Sequence, residues 1–147
     1  MKLLVAVDGS DLALDAVRHA LRLRDAGLNA DLVLATVQEP TFLYEMVLPP
    51  SADVLERMSG AVGNRALEGA EALLRAAAVP FEREIGSGDP AQTLIDLAGR
   101  HGCEGIIVGA RGLGAMRSAL LGSVSQAVLH ASTVPVTVVK HAPPEPA

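Results

Sequence analysis

Gly105-Ile106-Ile107-Val108-Gly109-Ala110-Arg111-Gly112, followed after nine further residues by Gly122-Ser123-Val124-Ser125, is the stretch from which the fold of this chain is read. Residues 105–108 are a short β-branched run, the composition of a strand buried on both faces, and they lead directly into glycines. Beyond them Val124, Ala127, Val128 and Ala131 fall at i, i+3, i+4 and i+7, which predicts a helix laying one apolar stripe on a sheet. Ser123 stands where an N-cap residue belongs. A strand, a glycine turn, a short arc and a helix start therefore succeed one another.

That succession has a chemical use. Glycines at 109, 112 and 122 let backbone N–H groups approach a ligand with no Cβ between them, and a helix N-terminus adds open donors and partial positive charge. Phosphate oxygens suit such donors, with the hydroxyls of Ser123 and Ser125 and the Arg111 guanidinium in reach of the same place.

The spacing Gly109, two residues, Gly112, nine residues, Gly122-Ser123 resembles the G-x2-G-x9-G-[S/T] pattern of the ATP-binding branch of the universal stress protein family. The likeness extends to Leu3-Leu4-Val5-Ala6-Val7-Asp8-Gly9-Ser10 and to Val134-Pro135-Val136-Thr137-Val138-Val139, so it covers nearly the whole chain.

At 147 residues with 50% apolar composition the chain has the size and core material of one domain, expected over residues 1–140. Phe42, Tyr44 and Phe81 are its only aromatic residues, so the core is aliphatic and there is no platform for stacking single-stranded nucleic acid. A net charge of −5 without a basic run argues against nucleic-acid partners in general. Met1-Lys2 leads straight into a strand-like run with no signal-peptide pattern, and no stretch approaches the roughly 20 apolar residues of a membrane span, so a cytoplasmic location is expected. Cys103 has no partner for an internal disulfide and reads as a small structural residue.

Along the chain, residues 3–7 form a continuous apolar run ending at the turn Asp8-Gly9-Ser10, and Ser10 or Asp11 can cap a helix carrying Leu14, Val17 and Leu21. A second buried strand is predicted at 32–37, giving a right-handed βαβ unit. The segment 38–51, opened by Gln38 and closed by Ser51, is bracketed by Glu39-Pro40 and Pro49-Pro50, and reads either as a loop over a ligand or as a surface-packing segment. A long helix is predicted over 51–78, weakened by Gly60 and Gly63, then a half-exposed edge strand over 81–85. Asp89-Pro90-Ala91-Gln92 opens the next helix with a cap, a proline at the first position and a capping box. The last strand is Pro135-Val136-Thr137-Val138-Val139, and the tail 141–147 is expected to be disordered. Five strands alternating with four helices give an open α/β sheet with helices on both faces. The family resemblance implies a Rossmann-like fold of the adenine nucleotide alpha hydrolase-like kind, a parallel sheet in the order 3-2-1-4-5, and so a crevice between strands 1 and 4.

Competing motifs are weaker. Gly86-Ser87-Gly88-Asp89-Pro90-Ala91 fits a dinucleotide fingerprint, but the next strand ends Val108-Gly109-Ala110 without the acid that holds a ribose, and turn plus cap account for its residues. There is no Walker lysine and no nucleophile elbow. His19, His101, His130 and His141 show no metal spacing and read as surface residues. Asp8 is either a turn former or a ligand contact at the end of strand 1.

By residue matching, the resemblance implies that Asp8 contacts the nucleoside with Val7 and Val37 near adenine, and that Val108, Gly109, Arg111, Gly112, Gly122, Ser123, Val124 and Ser125 lie on the ribose and phosphate side. The expected ligand is ATP, with Mg2+ or Mn2+ held mainly by its phosphates and water. Three functions stay open: a nucleotide-dependent stress-response module; an enzyme of slow ATP hydrolysis or self-phosphorylation at Ser123 or Ser125; and a nucleotide-free dimeric scaffold. The valine-rich last strand, guarded only by Lys140, is expected to form a homodimer, which the resemblance also implies.

Overall fold

The computed structural model describes residues 1–39, 52–112 and 121–141. Among them lie β1 (Lys2–Ala6), α1 (Leu14–Asp25), β2 (Asp31–Gln38), α2 (Ala52–Ala76), β3 (Phe81–Ser87), α3 (Pro90–Arg100), β4 (Gly105–Gly109), α4 (Ser123–Ala131) and β5 (Val136–Val139). All pairings are parallel and the sheet order is β3-β2-β1-β4-β5, the Rossmann-like arrangement anticipated from the family resemblance. Of the segment 38–51, Gln38 ends β2, and residues 40–51, on which the two loop readings rest, lie outside the described residues.

Strand alternation divides the core into two layers. Leu3 and Val5 of the first strand, with Val7 just beyond it, join Leu32 and Leu34 against Ala16, Val17 and Ala20 of α1 and Leu67, Ala70 and Leu74 of α2. Leu4 and Ala6 join Val33 and Ala35 against Leu94, Leu97 and Ala98 of α3 and Val128 of α4. The central strands are apolar on both faces because helices cover both, and each fully buried Leu, Ile or Val contributes about 1.5–3 kcal/mol. Gly63 lies where α2 crosses β3: a Cβ there would stand 2.4 Å from Ile85 Cγ2.

The two sheet edges differ in kind. On β3, Glu82 meets Lys2 at 3.4 Å and His101 Nδ1 at 3.1 Å, while His101 Nε2 lies 2.9 Å from Glu84. Charge guards that edge, and His101 is an edge clasp rather than a free surface residue. On β5, Val136 and Val138 are half-buried and Thr137 is exposed.

Asp89 caps α3 as expected, its Oδ2 accepting the Gln92 N–H at 2.9 Å. The reciprocal half of the capping box is absent, because the Gln92 amide donates to Asp96 instead. A Cβ on Gly86 would meet Thr93 Cγ2 at 2.6 Å and the Gly88 N–H donates to Gln38 O at 3.0 Å, so protein contacts account for both fingerprint glycines. Cys103 is buried, and burial pushes its thiol up, as suits a structural residue.

One helix departs from expectation. In α4 the buried residues are Ser125 and Val128, whereas Val124 is 36% exposed and Ala127 and Ala131 also face outward. The helix packs on α3 and β5 at the margin of the sheet, so its predicted stripe is largely uncovered.

Thr36 is 1% exposed, and its hydroxyl has no hydrogen-bond partner among the described residues. Removing an unpaired buried hydroxyl at constant shape relieves a desolvation cost. Thr36→Val is expected to raise stability by about 1 kcal/mol in chemical denaturation; a loss of similar size would show that the hydroxyl is satisfied in solution.

Candidate functional site

The site is built where the carboxyl ends of β1 and β4 lie side by side, paired through Leu3 with Gly105, Leu4 with Ile106 and Val5 with Ile107. Beyond β1 the Val7 N–H still reaches Ala35 O at 2.9 Å before the chain turns. Asp8 Oδ1 then accepts the Ser10 N–H at 2.9 Å and the Ser10 hydroxyl at 2.6 Å, and Ser10 Oγ accepts the Ala13 N–H at 3.1 Å. The turn reading of Asp8 is thus realised. Ser10 caps the tight turn before α1 rather than the helix proper, whose N-cap is Ala13.

Beyond β4 the Ala110 N–H donates to Val139 O at 2.9 Å, and Ala110 O accepts the Gly122 N–H at 2.6 Å. That bond seats the start of α4 against the turn. The buried Ser125 hydroxyl donates to Gly109 O at 2.6 Å, tying the first turn of the helix to the strand end. The N-cap is Gly122, one residue earlier than the expected Ser123, and it makes no side-chain cap. Among the described residues no side chain caps the opening N–H groups of α4 as Asp89 caps those of α3. Ser123 is exposed beside them.

The three glycines have different neighbours. A Cβ on Gly112 would lie 1.9 Å from Asp8 Oδ2, so any larger residue there must displace the carboxylate. One on Gly109 would lie 3.0 Å from His141 Cε1. One on Gly122 would make only ordinary contacts, 3.4 Å to Ala110 O and 3.6 Å to Arg111 Cα.

His141 was not foreseen here: its side chain is 3% exposed, with Nδ1 3.0 Å from Asp15 Oδ2, and the Arg111 N–H donates to Nε2 at 3.0 Å. The surface reading of this histidine is corrected, since the chain beyond β5 folds back between α1 and the turn. Residues 142–147 lie outside the described residues. Burial pushes the Asp15 carboxyl up, but hydrogen bonds from His141 and Arg18 more than reverse this, leaving it below the ordinary carboxylate value.

The remaining predicted residues are dispersed. Val7 packs in the core layer under α1 and α2, and Val37 in the layer under α3 and α4, so the two lie on opposite faces of the sheet. Val108 is 4% exposed and can offer a ligand only its backbone, whereas Val124 is open. The structure thus joins Asp8 to Gly112, Gly109 to Ser125, and Gly122 to the Ala110-Arg111 peptides. An anionic phosphate fits the start of α4, where the N-cap Gly122 offers the helix donors no side-chain acceptor and the helix dipole favours negative charge. Among the described residues no group of three or more His, Cys, Asp or Glu side chains could hold a metal.

A wholly parallel sheet, helices on both faces and a turn-plus-helix start at the β1/β4 switch point define a Rossmann-like α/β protein. The chain belongs to the universal stress protein family, whose family model matches residues 1–140. Universal stress protein YxiE of Bacillus subtilis is 32% identical over 147 residues, 95% of this chain and 98% of that protein. A universal stress protein solved in complex with cAMP is 30% identical with a TM-score of 0.69, covering 97% of this chain and 98% of the other. A family protein from Arabidopsis thaliana with AMP bound shares the fold at 22% identity and a TM-score of 0.69, covering 99% and 97%. Among the described residues no helix is long and apolar enough to cross a membrane.

The contact between Gly112 and Asp8 can be tested by a double-mutant cycle. Gly112→Ala is expected to destabilise the wild type, because its methyl must displace the Asp8 carboxylate, and to cost less in an Asp8→Ala background. The coupling expected of contacting residues is about 0.5–3 kcal/mol, read from urea melts; additive effects would show that the turn does not close on Asp8 in solution.

Proposed function

We propose that this protein binds ATP, with Mg2+ or Mn2+ carried on the phosphates, between the carboxyl ends of β1 and β4, and that occupancy makes it a nucleotide-dependent stress-response module of the cytoplasm. The observation that carries the reading is the start of α4, where Gly122 takes the N-cap position with no side-chain cap beside the 109–112 turn. Phosphate supplies acceptors that the Gly122 N-cap does not. The cAMP complex of a relative at 30% identity supports an adenine nucleotide as the ligand.

In this reading the Gly112 and Gly122 backbones, Ser123, Val124 and the Arg111 side chain face the phosphates and ribose, and Asp8 takes the nucleoside side, with Val7 and Val37, on opposite faces of the sheet, reaching it only from their strand ends. Gly109, Val108 and Ser125 serve by holding the turn, since the Ser125 proton is given to Gly109 O. Asp8 Oδ1 already accepts two hydrogens from Ser10, which favours a positioning role for Asp8 over a proton-accepting one and a binding protein over an enzyme.

A Cβ at 122 meets only ordinary contacts, so Gly122→Val is expected to fold and yet nearly abolish ATP binding by pushing the phosphates from the helix donors. Ser123→Ala removes one hydrogen bond to a charged oxygen, about 1.5–3 kcal/mol, and should weaken binding roughly tenfold to a hundredfold. Calorimetric titration with ATP and with NAD decides. Unchanged ATP affinity in folded Gly122→Val, or NAD binding that depends on Gly88, would sink the assignment.

We also propose a two-fold homodimer through β5. The charged β3 edge discourages pairing, whereas β5 presents Val136 and Val138, and Leu129 of the neighbouring α4 is 46% exposed. Replacing Val136 and Val138 together by Lys should give monomers in sedimentation. A wild type that sediments as a monomer at high micromolar concentration would dispose of the dimer.

A further inference from the structure

We infer that Asp15 and His141 form a positioning dyad that fixes the Arg111 peptide, and through it the glycine turn, for the ligand. The inference rests on the nucleotide reading above. His141 joins three parts of the chain that are remote in sequence: α1 through Asp15, the turn after β4 through Arg111, and the segment beyond β5 that carries the ring itself.

The hydrogen-bond chemistry follows atom by atom once the ring is taken as neutral. The Asp15 carboxylate only accepts, so His141 Nδ1, 3.0 Å from Oδ2, carries the proton of the neutral ring. The other nitrogen is then a lone pair, and the Arg111 N–H points at it over 3.0 Å. Arg111 O lies 3.1 Å from the same Nε2 and would be engaged only if Nε2 carried a proton. With the ring neutral, Asp15 thereby selects the Arg111 N–H over the Arg111 carbonyl as the group held. Its other oxygen, Oδ1, takes a hydrogen bond from Arg18 at 2.9 Å, which steadies the carboxylate with Oδ2 towards the ring.

Two consequences bear on the ligand. The Arg111 N–H is turned back into the protein and is not a phosphate donor, while the turn is held with Gly112 against Asp8 and Ala110 O on the Gly122 N–H. Gly109 is also explained: its missing Cβ leaves room for His141 Cε1, where a methyl would stand at 3.0 Å. His141 is a positioning residue that acts through the Arg111 peptide.

The test uses the full chain with nitrogen-labelled histidine and three variants. Long-range nitrogen spectra of the wild type should show His141 protonated at Nδ1, and Asp15→Ala should move the population towards Nε2. Exchange of the Arg111 amide hydrogen should be slow in the wild type and at least about tenfold faster in His141→Phe, which keeps a ring but loses the acceptor. His141→Gln, whose amide oxygen can replace the acceptor, should restore it. ATP affinity should follow the same order, falling about tenfold in His141→Phe and recovering in His141→Gln, with melting temperatures confirming that each variant is folded. A wild-type ring protonated at Nε2, or Arg111 exchange unchanged in His141→Phe, overturns the dyad. ATP binding that is equal in wild type and His141→Phe overturns its role towards the ligand and leaves the nucleotide reading standing. A wild type that binds no ATP overturns the nucleotide reading and the ligand role together, and the tautomer and exchange results still decide whether the dyad holds the turn.

Discussion

The pairing of β1 with β4 is the constraint on which the rest of the structure depends. Leu4 and Ile106 are almost wholly buried on the same face, and their backbone polar groups, cut off from water, are satisfied in the ladder between strands distant in sequence. From β1 the sheet grows to β2 and β3 on one side, and from β4 to β5 on the other. The connections after the two central strands therefore leave in opposite directions and open a crevice at their carboxyl ends. Both turns, the start of α1 and the start of α4 inherit their positions from that one pairing.

What fills the crevice wall is backbone more than charge. The protein is acidic overall, with a net charge of −5, so attraction for an anion must be local. In the proposed function that attraction comes from the first turn of α4, which is held in place from two sides: Ala110 O receives the Gly122 N–H, and Gly109 O receives the Ser125 hydroxyl. Both acceptors are carbonyls at the end of β4 that have no further strand residues to serve. The strand end is thus satisfied by the helix it presents. The glycines divide the labour accordingly: Gly109 yields space to His141 and Gly112 to Asp8, leaving Gly122 as the one whose missing side chain the described protein neighbours do not require.

Most of the architecture was legible in the sequence because it rests on local signals. Apolar runs without alternation marked the buried strands, the Phe81 to Ile85 alternation marked an edge, and Asp89-Pro90 marked a helix start that the structure bears out. What escaped was decided by contacts far apart in the chain. Gly63 looks like a defect of α2 until Ile85 is found against it. The apolar period of α4 was real, but at the sheet margin only Val128 of it is buried, and the other core-facing position belongs to a serine whose hydroxyl finds a strand-end carbonyl. His141 gave no signal at all, since neither its spacing nor its flanking prolines report a carboxylate 126 positions earlier.

His141 also changes how the last strand is understood. It stands two positions beyond Val139, the final residue of β5, and Val139 O is itself the acceptor of the Ala110 N–H. The edge strand and the turn are therefore joined twice, once by a ladder bond and once by an imidazole, before any second copy of the chain is considered. Exposed edge strands fray readily, because half of their backbone groups exchange with water and few side chains hold them down. Fraying of β5 would release the Ala110 N–H and withdraw the ring from Arg111, loosening the floor of the crevice from one side. Pairing across that edge would oppose the fraying and keep the turn closed on Asp8. The proposed dimer and the proposed ligand site would then be linked through one short strand.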